Sequence, residues 1–403
     1  MMSITNKLLA IIFITSCLTA MSCADDPFVF EFPEDATTLF DEKMELKNIG
    51  VKRFELDSTL GIISQSVIYY EDPSPRLSIF NSQNGNIHIF DYNTGEQIKV
   101  LSLEREGPNG VGDFGNMGHH MNNEDTIYLT NHWEGRLYLI DKNNEVISKY
   151  DLKQDNSDAQ FYLMNNSSSR IFKVGNDVLI SAESSGNTLL NCKYMIKVNL
   201  IDSTVNYYFD EPEFLDNFFW GPLTPYKFSL AYNSNSKKLI TSFAKNPEID
   251  VYSIESLDKR GKINSYVVGS KYVNNFTEQP KKRSKPPLYG HGYSELAPKV
   301  NREALFLSLD YDKYSDIYLR SMVLPRSEEQ YELRAKGMEL TYIILDNDFK
   351  KIGETTMPKG KYRYNFYFIN KEGIHFANLD EYAKDEDFLT FDIYSPKLID
   401  RND

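Results

Sequence analysis

Residues 77–101 read LSIFNSQNGNIHIFDYNTGEQIKVL, three short apolar segments separated by two turn-forming segments. The apolar segments are rich in Ile, Phe and Val, which favour strands. Each turn contains a glycine, Gly85 or Gly95, that can adopt the positive φ of a tight hairpin. The stretch therefore predicts three antiparallel strands, at residues 77–80, 86–91 and 96–101.

This arrangement recurs along the chain at a near-constant interval. Residues 126–147 repeat it, and Asp91 and Asp141, which end equivalent strands, are 50 residues apart. Further strands of this kind are predicted to end near Asn199, Tyr252, Asp346 and Asp392. A period on the order of 40–50 residues is typical of four-stranded propeller blades. The recurrence favours a propeller over a pair of β-sandwiches, which is the alternative all-β fold.

The two ends of the repeated region predict how the ring closes. About six units can be distinguished, and the last one, residues 364–394, has three strands. A propeller completes its last blade with a strand from the other terminus, because closure removes two exposed sheet edges. Residues 45–56 can supply that strand. The sequence thus predicts one all-β domain over residues 44–403, a six-bladed β-propeller closed by an N-terminal strand joining the last blade.

One segment, residues 271–299, interrupts the repeat. It contains QPKKRSKPP at residues 279–287, which has too many prolines and charges for a strand. We expect an inserted loop whose basic cluster is solvated. Contact of this cluster with lipid head groups or with an acidic partner is the alternative.

The first residues resemble an export signal. Lys7 precedes the apolar run LLAIIFI at residues 8–14, which is too short for a transmembrane helix. Cys17 and Cys23 each follow small or apolar residues, as in the lipobox of bacterial lipoproteins. We favour Cys23 as the acylated residue because the chain becomes hydrophilic directly after it. An ordinary cleaved signal is the alternative.

The sequence after Cys23 predicts the location of the protein. Asp25 and Asp26 follow closely, and such acidic residues resemble the signal that sends Bacteroidota lipoproteins to the cell surface. We therefore expect a lipid anchor in the bacterial outer membrane and exposure at the surface, with a periplasm-facing protein as the alternative. Residues 1–22 are then the signal peptide and residues 23–43 a tether.

The composition excludes several classes of protein. The 403 residues include 44 Lys and Arg against 58 Asp and Glu, a net charge of −14. We expect no nucleic-acid partner, because phosphate binding needs a basic surface. Of the 3 cysteines, Cys192 alone lies in the predicted domain, which excludes an intramolecular disulfide there. Its position at the start of an apolar run predicts a buried thiol rather than a nucleophile.

The segment EREGPNGVGDFGNMGHH at residues 104–120 is the most unusual in the chain. It contains five glycines, but no Lys-Ser or Lys-Thr follows them and strands are predicted on both sides. This excludes a phosphate-binding loop. We expect sharp turns packed close to the propeller axis. Ligand binding by this segment, through Arg105, Asn109 and Asp113, is the alternative.

Histidines follow the glycine-rich segment. His119 and His120 are adjacent, so on a strand their side chains point to opposite faces. One can face the central channel while the other packs between sheets. With His132 and Trp133 they are candidate ligand-binding residues. Their spacing matches no metal-ligand pattern, so we expect neither a metal nor a cofactor.

Sequence motifs of common enzymes are missing. The chain has no Gly-x-Ser-x-Gly, no His-Glu-x-x-His and no Cys-x-x-Cys, and no carboxylate pair stands out for glycoside hydrolysis. The aromatic segments at residues 218–222 and 362–367 could form a sugar-stacking platform. Alternating aromatics on a strand more often pack between sheets, which is our expectation for both.

The phrase EGPNGVG at residues 106–112, behind a lipoprotein signal and blade-like repeats, resembles the Bacteroidota lipoproteins grouped as domain of unknown function 4221. These are similar to six-bladed NHL-like propeller lipoproteins with a related Gly-Pro-Gly-Glu-Phe/Tyr phrase. Here Asn109 and Val111 interrupt the glycines, and Asp113-Phe114 stands where Glu-Phe/Tyr is usual. The resemblance implies a propeller and no assigned activity, so it identifies no catalytic residue.

These observations favour a binding protein over an enzyme. We expect a membrane-anchored monomer that acts as a binding or interaction module through a propeller face, with a glycan, peptide or envelope protein as partner. The alternative is a hydrolase or lyase that acts on a surface glycan or peptide at the central channel. A purely structural envelope component is the third possibility, since propellers host all three functions.

Overall fold

A computed structural model describes residues 30–31, 43–60, 66–153, 161–163, 165–183, 192–210, 212, 218–219, 227–259, 261–270, 275–276, 281–282, 302, 304–327, 329 and 339–399. The predicted signal peptide, Cys17 and Cys23 lie outside these residues, as do most of the tether and of the insertion at 271–299. In the described part, no helix has the length and hydrophobicity needed to cross a bilayer.

The described chain consists mainly of short strands. In chain order they are β1 (Phe30–Glu31), β2 (Met44–Glu55), β3 (Ser66–Tyr70), β4 (Arg76–Asn81), β5 (Asn86–Asp91), β6 (Gln97–Ser102), β7 (Met117–Met121), β8 (Thr126–Asn131), β9 (Arg136–Asp141), β10 (Val146–Asp151), β11 (Ile171–Val174), β12 (Asp177–Ser181), β13 (Lys193–Asn199), β14 (Val205–Asp210), β15 (Phe218–Phe219), β16 (Phe228–Asn233), β17 (Lys238–Phe243), β18 (Glu248–Ser253), β19 (Lys262–Val267), β20 (Asn275–Phe276), β21 (Lys281–Lys282), β22 (Leu305–Asp312), β23 (Ile317–Val323), β24 (Leu340–Leu345), β25 (Lys351–Thr356), β26 (Tyr362–Asn370), β27 (Gly373–Asn378) and β28 (Phe388–Leu398). A 3₁₀ helix at Ile254–Lys259 and helix α1 at Leu379–Lys384 accompany them.

Sixteen of these strands form antiparallel blades of four strands in sequence order. Blade 1 is β3–β6, blade 2 is β7–β10, blade 3 is β11–β14 and blade 4 is β16–β19. The short strands β1 and β20 pair with each other, as do β15 and β21. This simple up-and-down order places the first strand of each blade at one edge and the fourth at the other.

The last sheet has eight strands in the order β22-β23-β24-β25-β2-β28-β27-β26. It consists of two four-stranded units, β22–β25 and β26–β28 with β2, which meet at the parallel pair Met44–Gly353. A Cβ at position 353 would lie 2.0 Å from the carbonyl oxygen of Met44, so glycine is needed for this contact.

The N-terminal strand pairs with the last strand of the chain. This strand was predicted at residues 45–56, and β2 occupies Met44–Glu55. It runs antiparallel to β28, from the pair Met44–Leu398 to the pair Glu55–Phe388. The backbone groups along this edge of β28 therefore form hydrogen bonds with β2, as predicted.

Hydrophobic cores lie between successive four-stranded units. Within the described residues, each of six clusters draws side chains from two neighbouring units, for example Phe80 with Leu129, Leu137 with Val178, Tyr194 with Leu230, Ile240 with Phe306, Ile344 with Phe376, and Leu77 with Phe391. The last of these joins the final unit to blade 1. Cys192, 2% exposed, lies in the core between blades 3 and 4, where a buried thiol was expected.

Most strand predictions agree with the structure. Strands β5 and β9 have the bounds inferred from the sequence, and Gly85 and Gly95 have φ values of 75° and 81°. The prediction that a strand ends near Asp392 was wrong. This residue lies inside β28, which continues to Leu398 because β2 pairs along its length.

Because neighbouring strands are antiparallel, the connections alternate between two faces of the molecule. The turns from first to second and from third to fourth strand, such as residues 122–125 and 142–145, lie on one face and are short. The other face carries the turns from second to third strand, such as residues 132–135, and the ends of the connections between units, which are longer, as at residues 103–116. We call it the connection face. Long connections on a rigid scaffold are the usual location of binding residues.

The packing of β2 generates a prediction. The Phe54 side chain is completely buried, with ring centroids 5.6 Å from Phe90 and 5.8 Å from Phe391. Phe54→Ala is expected to lower the free energy of unfolding by about 3–5 kcal/mol, because it leaves a cavity where the end of the chain meets blade 1. Urea denaturation of the purified protein measures the change.

The control is Val51→Ala on the same strand, where the side chain is 59% exposed. Exposed substitutions change the free energy of unfolding by about 0.5 kcal/mol or less. Equal effects of the two substitutions would show that burial at the closing strand does not stabilise the fold.

Candidate functional site

The glycine-rich connection is held by its own backbone. Val111 N donates to the carbonyl of Glu104 at 2.9 Å, and Gly112 N donates to the carbonyl of Arg105 at 3.1 Å. The buried Asn131 amide at the end of β8 donates to the carbonyl of Val111 at 2.6 Å. The predicted sharp turns are therefore present, and blade 2 fixes their position.

The three candidate residues of this connection support the loop itself. The Arg105 guanidinium lies 4.7 Å from the centre of the Phe114 ring. Asn109 Oδ1 accepts a hydrogen bond from Val146 N at 3.1 Å, and Asp113 Oδ1 accepts one from Gly115 N at 2.7 Å. Asn109 thus ties the loop to β10, whereas Arg105 and Asp113 remain exposed on the surface.

His119 and His120 leave opposite sides of β7. His119 is 2% exposed and is held between two serines of blade 1, with Nδ1 2.6 Å from Ser66 Oγ and Nε2 2.9 Å from Ser78 Oγ. Burial lowers its pKa to about 3. His119 is therefore neutral at pH 7 and connects blades 1 and 2 by hydrogen bonds.

His120 faces the other way, towards blade 3. Its Nε2 is 2.9 Å from Asn122 Oδ1, and its ring lies 6.1 Å from that of Tyr128. Burial lowers its pKa to about 4, and the positive charge of Arg170 acts in the same direction. Among the described residues, no three His, Cys, Asp or Glu side chains come together in a way that could hold a metal ion.

The centre of the propeller is occupied by residues 165–170, which precede β11. Asn165–Ser169 are buried. Asn165 packs close to Gly118 of β7, where an added Cβ atom would lie 2.2 Å from the Cβ of Asn165. The Asn165 amide donates to the carbonyls of Ser169 and Ser181. This polar turn contacts strands on several sides of the axis.

An ion pair crosses the same region. Arg170 Nη2 lies 3.0 Å from Asp310 Oδ1 on β22, and Tyr367 on β26 donates its hydroxyl hydrogen to the same carboxylate. Tyr367 N donates to Ser167 Oγ at 3.1 Å. Burial raises the pKa of Asp310, and Arg170 opposes this shift. Blade 3 and the last two units thus meet at the axis through an ion pair and hydrogen bonds between their own residues.

A second ion pair near the start of blade 4 is less complete. Lys227 Nζ lies 3.8 Å from Glu183 Oε1, and the two side chains are 6% and 9% exposed. The ammonium is also 5.2 Å from the centre of the Tyr364 ring on β26. Burial raises the pKa of Glu183, and Lys227 lowers it in part. We call Lys227 and Glu183 the axial pair.

An aromatic patch extends from this pair towards solvent. The Trp133 side chain is 61% exposed, and its ring lies 5.0 Å from that of His132, which in turn lies 4.1 Å from that of Tyr162. His132 Nδ1 accepts from Leu163 N at 3.2 Å, and burial lowers its pKa to about 4. We call His132, Trp133 and Tyr162 the Trp133 patch.

The patch and the pair are linked through the backbone. Tyr162 N donates to the carbonyl of Glu183, and Glu183 N donates to the carbonyl of Tyr162, both at 2.8 Å. Both groups of residues belong to connections on the connection face. Together they present aromatic rings, a carboxylate and an ammonium to one side of the molecule.

Only part of this surface was predicted from the sequence. His132 and Trp133 were candidates, and Tyr364 lies within an aromatic segment that was expected to pack between sheets. Glu183 and Lys227 were missed because each stands in a different connection without a motif. The aromatic segment at 218–222 lies outside the described side chains, so its prediction stays open.

A family model, the domain of unknown function DUF4221, matches residues 38–356. The chain belongs to the DUF4221 family. The predicted resemblance is thereby confirmed, and the four-stranded blades identify this DUF4221 protein as a β-propeller. No functionally curated protein matches the sequence.

Two solved structures resemble this DUF4221 chain over most of its length. A DUF4221 member from Bacteroides vulgatus has a TM-score of 0.69 and 23% identity, covering 89% of this chain and 99% of that one. A protein from Bacteroides fragilis, named as exported, has a TM-score of 0.52 and 9% identity, covering 89% and 96%. Identities this low establish a shared fold and carry no information on the ligand.

The buried His119 of the DUF4221 protein predicts a pH dependence of stability. Its pKa is about 3 in the folded state, against roughly 6.5 when unfolded. The neutral His119 therefore contributes fully to the free energy of unfolding above pH 6.5. Below pH 6.5 this contribution declines, because the histidine takes up a proton in the unfolded chain but not in the folded one. At pH 5 the loss amounts to about 2 kcal/mol.

His119→Gln is expected to remove this part of the pH dependence between pH 7 and pH 5, as measured by urea denaturation at a series of pH values. In the unaltered protein, the nuclear magnetic resonance signals of the His119 ring should remain those of neutral imidazole at pH 5. Protonation of His119 above pH 5, or an unchanged slope in the variant, would contradict the assignment.

Proposed function

We propose that the DUF4221 domain is a ring of six blades. Blades 1–4 and the two units of the eight-stranded sheet give this number, and each successive pair shares a hydrophobic core. Contacts between the first strands, β3 with β7, β7 with β11, β22 with β26 and β26 with β3, support a circular arrangement. The single parallel contact at Gly353 then joins two blades at their rim.

We propose further that the propeller is exported and attached to the outer membrane by a lipid on Cys23, with its binding surface outside the cell. The apolar segment at residues 8–14, the lipobox-like residues before Cys23 and the acidic residues after it support this location. The similar fold of a Bacteroides fragilis protein named as exported is consistent with it.

The anchor can be tested by substituting the two cysteines separately. Cys23→Ala is expected to abolish incorporation of radiolabelled palmitate and to leave unprocessed precursor, because the acylated thiol is missing. Cys17→Ala should keep labelling and processing. If labelling is lost in Cys17→Ala but kept in Cys23→Ala, Cys17 is the acylated residue. If the unaltered protein takes up no label, it is not a lipoprotein.

The function that we propose is binding of an envelope partner, a glycan, a peptide or a protein, by the connection face of a monomeric propeller. The exposed Trp133 side chain supports this proposal most directly. Other exposed large hydrophobic side chains of the described residues are aliphatic and lie on strands or in the turn at Ile201. An exposed indole on a face of long connections is typical of a recognition site.

Catalysis has weaker support than binding. His119 is fully engaged between two serines, and His120 is hydrogen-bonded to Asn122. The Arg170–Asp310 pair fills the region where a channel site for a hydrolase or lyase was considered. Since these side chains contact neighbouring blades, we favour binding over catalysis.

Trp133→Ala tests the role of the connection face. Loss of an exposed aromatic anchor is expected to weaken binding at least tenfold without a change in the free energy of unfolding. The assay is binding of the full chain in detergent to immobilised capsular polysaccharide, peptidoglycan and outer-membrane proteins of Bacteroides.

The matched control is Ile201→Ala, because Ile201 is 75% exposed in a turn on the opposite face. Its binding is expected to stay within about twofold of the unaltered protein. If both variants bind every preparation as well as the unaltered protein, the connection face is not the binding surface.

A further inference from the structure

The axial pair is buried but incompletely hydrogen-bonded. The separation of 3.8 Å between Lys227 Nζ and Glu183 Oε1 exceeds a hydrogen bond. Among the described residues, Glu183 Oε1 has no hydrogen-bond partner, and the other contact of the Lys227 ammonium is with the ring of Tyr364. A buried charge without hydrogen bonds is unfavourable, so a third polar group is expected between these two atoms.

Another buried pair of the same protein shows the contrast. Lys351 donates directly to Glu354 Oε2, and the Ser270 hydroxyl donates to the other oxygen of that carboxylate. The protein thus supplies hydrogen bonds to both carboxylate oxygens of Glu354, whereas the described residues supply none to Glu183 Oε1.

The distance between the two groups defines what fits between them. One oxygen atom can lie roughly 2.8 Å from both Lys227 Nζ and Glu183 Oε1, a normal hydrogen-bond length to each. That oxygen must accept from the ammonium and donate to the carboxylate, which a hydroxyl group does. A carboxylate or phosphate would be repelled by Glu183, and an ammonium would be repelled by Lys227.

The surroundings of the axial pair favour an extended ligand over an isolated water molecule. The pair of hydrogen bonds between Tyr162 and Glu183 places the Trp133 patch next to it, and Trp133 is open to solvent. Aromatic rings pack against the apolar faces of sugar rings, while sugar hydroxyls serve as both donors and acceptors. The connection face combines both kinds of group.

We propose that the axial pair binds a hydroxyl group of a neutral carbohydrate whose chain continues over Tyr162 towards Trp133. The inference rests on the proposed binding role of the connection face and specifies its ligand class. Lys227 donates to the hydroxyl oxygen, Glu183 accepts its hydrogen, and the Trp133 patch contacts the sugar rings. A peptide ligand is the competing outcome of the test.

The test is an array of neutral and acidic oligosaccharides probed with the full chain in detergent, followed by calorimetric titration of the oligosaccharide with the strongest signal. The variants are Lys227→Met, Glu183→Gln and the double variant. The double variant preserves the fold best, because it leaves no single buried charge without its partner. Urea denaturation verifies the folding of each variant.

We expect neutral oligosaccharides to bind and acidic ones to bind more weakly. The double variant should lower the affinity at least tenfold. Lys313→Met is the matched control, since its side chain is 51% exposed in a turn on the opposite face, and its affinity should stay within twofold.

Three results would overturn the inference: no oligosaccharide binds, acidic ones bind best, or the double variant binds with unchanged affinity. Failure of this proposal is distinguishable from failure of the proposed function. If a peptide or protein binds and its binding depends on Trp133 but not on Lys227, the connection face remains the binding surface. The proposal of a carbohydrate ligand is then wrong.

Discussion

The pairing of β2 with β28 is the constraint on which the molecule depends. Every other blade takes its four strands from one continuous stretch of chain, but the last unit obtains its outer strand from the start of the domain. Without β2, one edge of β28 would expose unpaired backbone groups, and the core that contains Phe54 would lose the side chains that pack on one side of it. The same core contains Leu77 of blade 1 and Phe391 of β28, so the closing strand also contributes to the contact between the first and last units.

Polar groups in the interior perform two different tasks. The His119–serine contacts and the Arg170–Asp310 pair hold neighbouring or opposite units together, and each of these side chains is engaged by the protein itself. The axial pair is different because Glu183 Oε1 has no hydrogen-bond partner among the described residues, whereas the Asp310 carboxylate accepts a hydrogen bond from Tyr367. Burial makes such a site costly to leave unsatisfied, and that cost is the physical basis for proposing a ligand hydroxyl there.

The two faces of the propeller are unequal. One face carries the short turns from first to second and from third to fourth strand, whereas the other carries the turns from second to third strand and the longer connections between units. On that face, Trp133 follows β8, Glu183 follows β12 and Lys227 precedes β16, so the three residues come from three different blades and no one of them forms a site alone. The DUF4221 member from Bacteroides vulgatus has a similar fold at 23% identity.

The sequence by itself determined the blades, their period and the closing strand. Local patterns suffice for these features: alternating apolar residues bounded by Gly85 and Gly95 specify hairpins wherever they occur, and β5 and β9 have the predicted bounds. The end of β28 was misplaced because its length is set by pairing with β2, at the other end of the chain. The tertiary structure alone decided that His119 is a buried link and that Glu183 meets Lys227. Such contacts depend on how separate connections converge at the axis, and no spacing within a single segment encodes that convergence.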